Sequence, residues 1–286
     1  MSLKDKEEGF FTPFTMVRLL GLLFSILIIA FFYSALIRPS AEQFEIASKY
    51  GVEEDAGSFG KLAVILKDYE QQACFTLMLW VFLILGYKYL LAHLEERALK
   101  RILTKTDSEN VFHYTKTGRI VKQQAPELLT QIQSEIQSNP TMHNKLLPHL
   151  IVKGLQRFIS THSVQESSDM IKGRIDVTAE RLESELSIVR YIAWAIPSIG
   201  FIGTVRGIGA ALSKAEMALE GDISGVTNSL GLAFNSTLVA LFISIFLMYF
   251  IHLVQSKQDG LILTIETFCR EQLIDRLEIF SAPSKQ

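Results

Sequence analysis

The chain has 286 residues, 49% of them hydrophobic, and its 28 Lys and Arg against 30 Asp and Glu leave a formal charge of −2. That balance offers no basic face for nucleic acid, and two cysteines make neither a disulfide framework nor a zinc pattern. Length alone would allow two soluble domains, but the positive mean hydropathy points to the bilayer.

Residues 1–18 are polar at first and carry Lys4, Lys6 and Arg18 ahead of an apolar run at 19–37. A secretory signal also begins with positive charge. This run is longer than a typical signal core and no A-x-A site follows it, so an uncleaved first transmembrane helix is expected, with a cleaved signal as the lesser alternative. Residues 38–72 are polar, with acids from Glu42 to Glu70, and are expected to hold a short helix or two. A second span follows at 73–91, where Lys88 near the end is expected to snorkel to the headgroups.

Residues 92–187 form the sizeable polar region. A charged helix opens it at Glu95, Glu96, Arg97, Lys100 and Arg101, and a break is expected between Asn110 and Gly118. Pro126–Gln137 and Lys145–Ile159 read as helices. From Val164 on, Ile171, Ile175, Thr178, Leu182, Leu186 and Val189 repeat at three and four residues, one helix face leading into the next apolar run. Spans three and four fall at 188–212 and 230–254, joined by a short loop at 213–229. Residues 255–286 read as a last amphipathic helix, lined by Ile262, Ile265, Cys269, Leu273, Leu277 and Phe280, packing on the 92–187 bundle. The expected fold is an all-α membrane protein, four transmembrane helices with a helical cytoplasmic domain.

Orientation follows from Lys and Arg near the spans. With the N-terminus inside, the outer segments 38–72 and 213–229 carry only Arg38, Lys49, Lys61, Lys67 and Lys214. The inner flanks carry Lys4, Lys6, Arg18, Lys88, Arg97, Lys100, Arg101, Lys105, Arg190 and Lys257. Residues 1–18, 92–187 and 255–286 are then cytoplasmic, and 38–72 and 213–229 periplasmic. Cys74 and Cys269 would lie near opposite membrane faces and are not expected to pair.

The third and fourth spans carry the chemistry. Pro197, Gly200, Gly203, Thr204, Gly207 and Ala211 make one small-residue face; Ala233, Ser236, Thr237, Ala240 and Ser244 make another. Such faces let helices approach closely and let hydroxyls bond across the contact. Thr204 stands eight residues before position 212 and Thr237 seven after position 230. In an antiparallel hairpin both hydroxyls then lie at one depth, roughly 11–12 Å from the helix ends. Level hydroxyls can offer oxygen to an ion or a neighbouring carboxyl; the plainer alternative is packing, with each Thr bonded to its own helix. Arg206 lies about 200° around the helix from Thr204 at ~100° per residue. It is expected to point away from the threonine face and to snorkel outward or pair with an acidic group such as Glu216 or Glu220, not to sit in the ion path.

The string P-x-x-G-x-x-G-T-V-x-G-I, Pro197 to Ile208, resembles the third-helix signature of the MotA/TolQ/ExbB proton-channel family. AFNSTLVAL, Ala233 to Leu241, resembles that family's last helix. Arg206 stands where the family often has an apolar or aromatic residue, and Ala240 where glycine is common. Four spans with both ends inside look like the flagellar-stator branch, whereas G-T-V-x-G-I looks more like TolQ/ExbB.

No Asp or Glu falls inside the four apolar runs, yet a proton path through a membrane normally needs an ionisable relay. The resemblance implies where it comes from: a homopentamer surrounds the transmembrane helices of a dimeric, single-span MotB/TolR/ExbD-like partner, which brings a membrane Asp. Thr204 and Thr237, with Ser236 beside them, match the positions facing that carboxyl. Pro197, Gly200, Gly203, Gly207, Ala233 and Ala240 are the expected pore-face packing. The expected function is an ion-channel subunit of a motor in the bacterial inner membrane, with no cofactor and no catalysis. The ion is expected to be the proton; sodium is the alternative, since hydroxyl and carbonyl oxygens also suit a hard cation. A non-conducting scaffold that binds partners through its cytoplasmic helices is the alternative from another class. Flagellar rotation, outer-membrane energisation, gliding and defence all reuse this core in the family.

Overall fold

A computed structural model describes residues 13–50, 57–108, 120–121, 125–138, 145–219, 221 and 223–278. Lys4, Lys6, the break between Asn110 and Gly118, Glu220 and Phe280 lie outside the described residues. The fold is helical, and four helical segments are long and apolar enough to cross a membrane: Met16–Ser48, Tyr69–Lys100, Val164–Leu212 and Ser224–Arg276.

Helix α1 (Pro13–Phe32) passes through one π-helical turn, Tyr33–Ile37, into α2 (Arg38–Lys49). Pro39 has no N–H to give the carbonyl four residues back. The ladder widens just before it, and Arg38 N–H reaches Tyr33 O instead. Helix α3 (Gly57–Leu66) turns back against α2, and α4 (Tyr69–Ser108) follows after two residues. Helices α5 (Ala125–Ser138) and α6 (Leu146–Thr161) are short and amphipathic. α6 ends at His162 in the left-handed conformation, φ 58°, and Ser163 Oγ accepts the Glu166 N–H to start α7 (Val164–Leu212). α7 has 49 residues, about 74 Å at ~1.5 Å per residue, more than twice the ~30 Å hydrocarbon core. After the short α8 (Ala215–Leu219), α9 runs from Ser224 to Phe268.

Residues 255–268 are therefore a continuation of α9. A π turn at Cys269–Leu273 and one 3-10 turn end it, and Leu277–Glu278 (β2) pairs in parallel with Ile120–Val121 (β1). This two-residue ladder is the only strand pairing among the described residues.

The chain divides into two compact units. One comprises residues up to Tyr87 with Leu186–Leu253; the other comprises Lys88–Glu185 and the chain from Val254 on. In the first, Tyr33, Ile37, Ala41 and Ala63 form a small core with Phe75 against it. Trp80 Nε1 donates to Arg18 O at 2.8 Å and so ties α4 to α1. In the second, Leu150, Leu155, Phe158, Ile171, Ile175, Ile265, Cys269 and Leu273 belong to one buried cluster. Gly154 lets α7 cross α6: a Cβ there would stand 2.6 Å from Ile171 Cδ1. Both cysteines are free and buried.

Lys88 departs from expectation. It does not snorkel: it is 2% exposed and pairs with Glu185, which also receives Arg181 at 3.2 Å. A carboxylate one helix away neutralises the ammonium more cheaply than leaving it unpaired in an apolar setting.

Candidate ion-path site

The second half of α7 and the first half of α9 pack through their small faces. A Cβ on Gly203 would stand 2.6 Å from Ser236 Cβ and 2.9 Å from Ser236 Oγ. One on Gly207 would stand 2.6 Å from Ala233 Cβ and 2.9 Å from its Cα, and one on Gly200 would meet Ala240. Ala233, Ser236 and Ala240 are buried. Glycine is thus required at these three positions by the closeness of the opposing backbone.

At this contact the threonines meet. Thr204 Oγ1 lies in hydrogen-bond contact with Thr237 Oγ1. Thr237 also donates to Gly200 O at 3.0 Å, and Thr204 to Ala233 O at 3.0 Å. Gly200 O is also the carbonyl of Thr204's own turn, at 3.5 Å. The crossed bonds differ from the plain packing alternative, in which each hydroxyl serves only its own helix. A hydroxyl has one proton and two lone pairs. The two protons are shared among the O–O contact and the facing carbonyls Ala233 O and Gly200 O, which leaves both oxygens with free lone pairs to accept from a third group.

Pro197 has a partner that sequence reasoning missed. Its ring nitrogen cannot serve the carbonyl of residue 193, yet α7 continues through it. Ser244 Oγ donates to Ala193 O at 2.9 Å and satisfies that carbonyl from α9. The signal was present: a proline within a span frees the carbonyl four residues earlier, and a hydroxyl of the small face stood available to fill it.

Arg206 does pair with an acid, but not with the residues expected. Its Nε and one terminal nitrogen bind Glu70 at 2.7 and 2.8 Å, and Asp68 Oδ1 lies 3.6 Å from the guanidinium. No ion pair joins it to Glu216 among the described residues. Asp68 and Glu70 stand just ahead of the second apolar run, outside the stretch in which acids were sought. Glu70 nevertheless reaches the hairpin: its Cγ would lie 3.4 Å from a Cβ on Gly203. Burial pushes the Asp68 carboxyl above the usual aspartate range, against the pull of Arg206.

Outward from these contacts the hairpin is greasy. Tyr191, Trp194, Phe201, Ile202 and Val205 on α7, and Phe234, Leu238, Phe242 and Ile245 on α9, are exposed. Apolar area on this scale suits lipid or other protein surfaces rather than water.

Four apolar spanning helices around a close small-residue hairpin define a multi-pass helical membrane protein. Residues 142–267 match the MotA/TolQ/ExbB proton channel family. Both strings that carried the resemblance, Pro197–Ile208 and Ala233–Leu241, fall within that stretch. No curated protein matches the chain, and no solved structure does.

Proposed function

We propose that this chain is the ion-channel subunit of a membrane motor in the bacterial inner membrane, assembled as a homopentamer around a dimer of a single-span partner. The observation that carries this reading is the Thr204–Thr237 hydroxyl contact, which Ala233 O and Gly200 O of the facing helices flank. It lies inside the stretch matched to a family of proton channels.

In this reading the partner's membrane Asp faces the threonine pair. The paired oxygens accept a hydrogen bond from the protonated carboxyl, and as the ion leaves they solvate it while the carboxylate recharges. Neither hydroxyl acts as acid or base, since a threonine hydroxyl is not ionised near neutral pH. Ser236 supplies a third oxygen on the same face. Gly200, Gly203, Gly207, Ala233 and Ala240 keep the helices close enough for the oxygens to act together. Pro197, by freeing a carbonyl that Ser244 then takes, fixes the register between the two helices. The proton is the ion carried, and sodium transport is the variant that the same oxygens would support. Both termini and residues 92–187 are cytoplasmic, as the Lys and Arg distribution asks.

Co-expression with the product of a neighbouring gene, followed by native mass spectrometry, tests the assembly. The expected result is five copies of this chain with two copies of a single-span protein bearing a membrane Asp. A stable monomer with no such partner contradicts it and leaves the scaffold.

A further inference from the structure

The same unit holds a second polar site, at the start of α4. Asp68 N–H donates to Gln71 Oε1 at 3.1 Å, which sets the Gln71 amide beside Asp68. Gln71 is 0% exposed, and its Nε2 has no acceptor. The Tyr33 hydroxyl is likewise without a partner, on a residue 1% exposed. It stands within electrostatic reach of Asp68 and Arg38. The third orphan is Asp68 Oδ2, a buried carboxyl oxygen with no donor.

These three orphans are complementary. Gln71 Nε2 donates, Asp68 Oδ2 accepts while ionised, and the Tyr33 hydroxyl does either. Buried polar atoms are nearly always satisfied by protein or by ordered water. A buried water needs two to four polar partners, and this group supplies three. We propose that Tyr33, Asp68 and Gln71 form a water-bridged proton-binding site, in which Asp68 Oδ2 takes a proton that the bridging water relays from solvent hydronium and returns it by the same route. One proton moves from hydronium to carboxylate, and nothing else changes hands.

The charges around Asp68 permit that cycle. Arg206 is held at two points by Glu70 and stands farther from Asp68, at 3.6 Å. A neutral Asp68 therefore leaves Arg206 still paired. Of the other charged neighbours, Lys67 favours the ionised carboxyl and is itself paired with Glu45, while Glu70 and Glu45 disfavour it. Arg38 is engaged with Gln72 Oε1 and the Tyr69 ring. Burial outweighs Arg206 and moves Asp68 above the ordinary aspartate value of 3.8. Glu70 also borders the space beside Gly203, its Cγ standing 3.4 Å from where a Cβ there would lie, next to Thr204 in the chain. As the group that loads the path beside Thr204, Asp68 rests on the channel reading; its binding of a proton does not.

Infrared titration of the purified full chain in lipid nanodiscs tests the site without any partner or flux. The expected result is a protonated-carboxyl C=O band that titrates above 3.8. It is absent from Asp68→Asn, retained in Asp68→Glu, moved to higher pH in Arg206→Gln and shifted in frequency in Tyr33→Phe. An Asp68→Asn spectrum that superimposes on the parent, or a band titrating at the ordinary value, overturns the proposal. A band unmoved by Tyr33→Phe overturns the bridging water. In a conducting complex, Asp68→Asn is expected to cut proton flux about tenfold, equivalent to ~1.4 kcal/mol, with assembly intact; unchanged flux overturns the loading role. Absence of flux from the parent complex itself contradicts the channel reading and leaves the titrating carboxyl standing.

Discussion

Ser244 and Ala193 show how one side chain keeps a proline in a membrane helix. Without the Ser244 hydroxyl, the carbonyl freed by Pro197 has no donor in an apolar setting. Ser244→Ala is expected to destabilise the chain by about 0.6–1.7 kcal/mol, the range of intramembrane hydrogen bonds, and Ser244→Thr to restore most of it. Chemical denaturation in mild detergent measures both. Asp68 carries a pH dependence of defined sign. Its folded-state pKa is raised, so its contribution is most favourable at low pH and is lost as pH rises from the unfolded value near 3.8 through the raised one. Asp68→Asn lacks this term. Relative to that variant the parent is expected to lose stability across this window as pH rises; thermal melts of the two at several pH values follow it.

At the scale of the element, the helix faces were legible because a period of three and four needs only the local sequence. The stripe Pro197 to Ala211 and its counterpart on α9 are the contact seen. Likewise, Ile171, Ile175, Leu186 and Val189 are buried, while Thr178 and Leu182 of the same stripe are only half-buried. Helix joins were less legible: no break separates 254 from 255, and residues 255–268 hold no proline to mark one. Pairing across distant segments was not legible either, because periodicity does not say which acid meets Arg206 or Lys88. Two substitutions separate close packing from mere smallness. Gly207→Ala puts a methyl against the Ala233 backbone and is expected to destabilise by about 1–3 kcal/mol, the usual range for overpacking. Gly209→Ala meets nothing within 4 Å and is expected to be neutral or slightly stabilising. In the other unit, Glu185→Ala removes the carboxylate paired with the buried Lys88 ammonium and is expected to cost ~3–5 kcal/mol, whereas Lys88→Met with Glu185→Leu is expected to be near neutral. Denaturant unfolding of the four variants checks the order.

At the scale of the whole molecule, the sequence divides its labour between four apolar segments and a polar helical unit. The all-α class followed from hydropathy alone. The common depth of Thr204 and Thr237 followed from counting residues along an antiparallel hairpin, whereas the contact between their hydroxyls did not. Asp68 and Glu70 precede the second apolar run rather than interrupt it, so their pairing with Arg206 does not follow from the composition of the spans. The central claim is that Thr204 and Thr237 solvate a moving ion rather than only pack. It is tested most directly by ion flux through the co-expressed complex carrying Thr204→Val or Thr237→Val, with assembly checked in the same preparation. The expected result is intact assembly and flux reduced about tenfold or more, each tenfold equal to ~1.4 kcal/mol of lost stabilisation, with both Thr→Ser variants close to the parent. Normal flux in both valine variants would contradict the account and leave the hydroxyls as packing bonds.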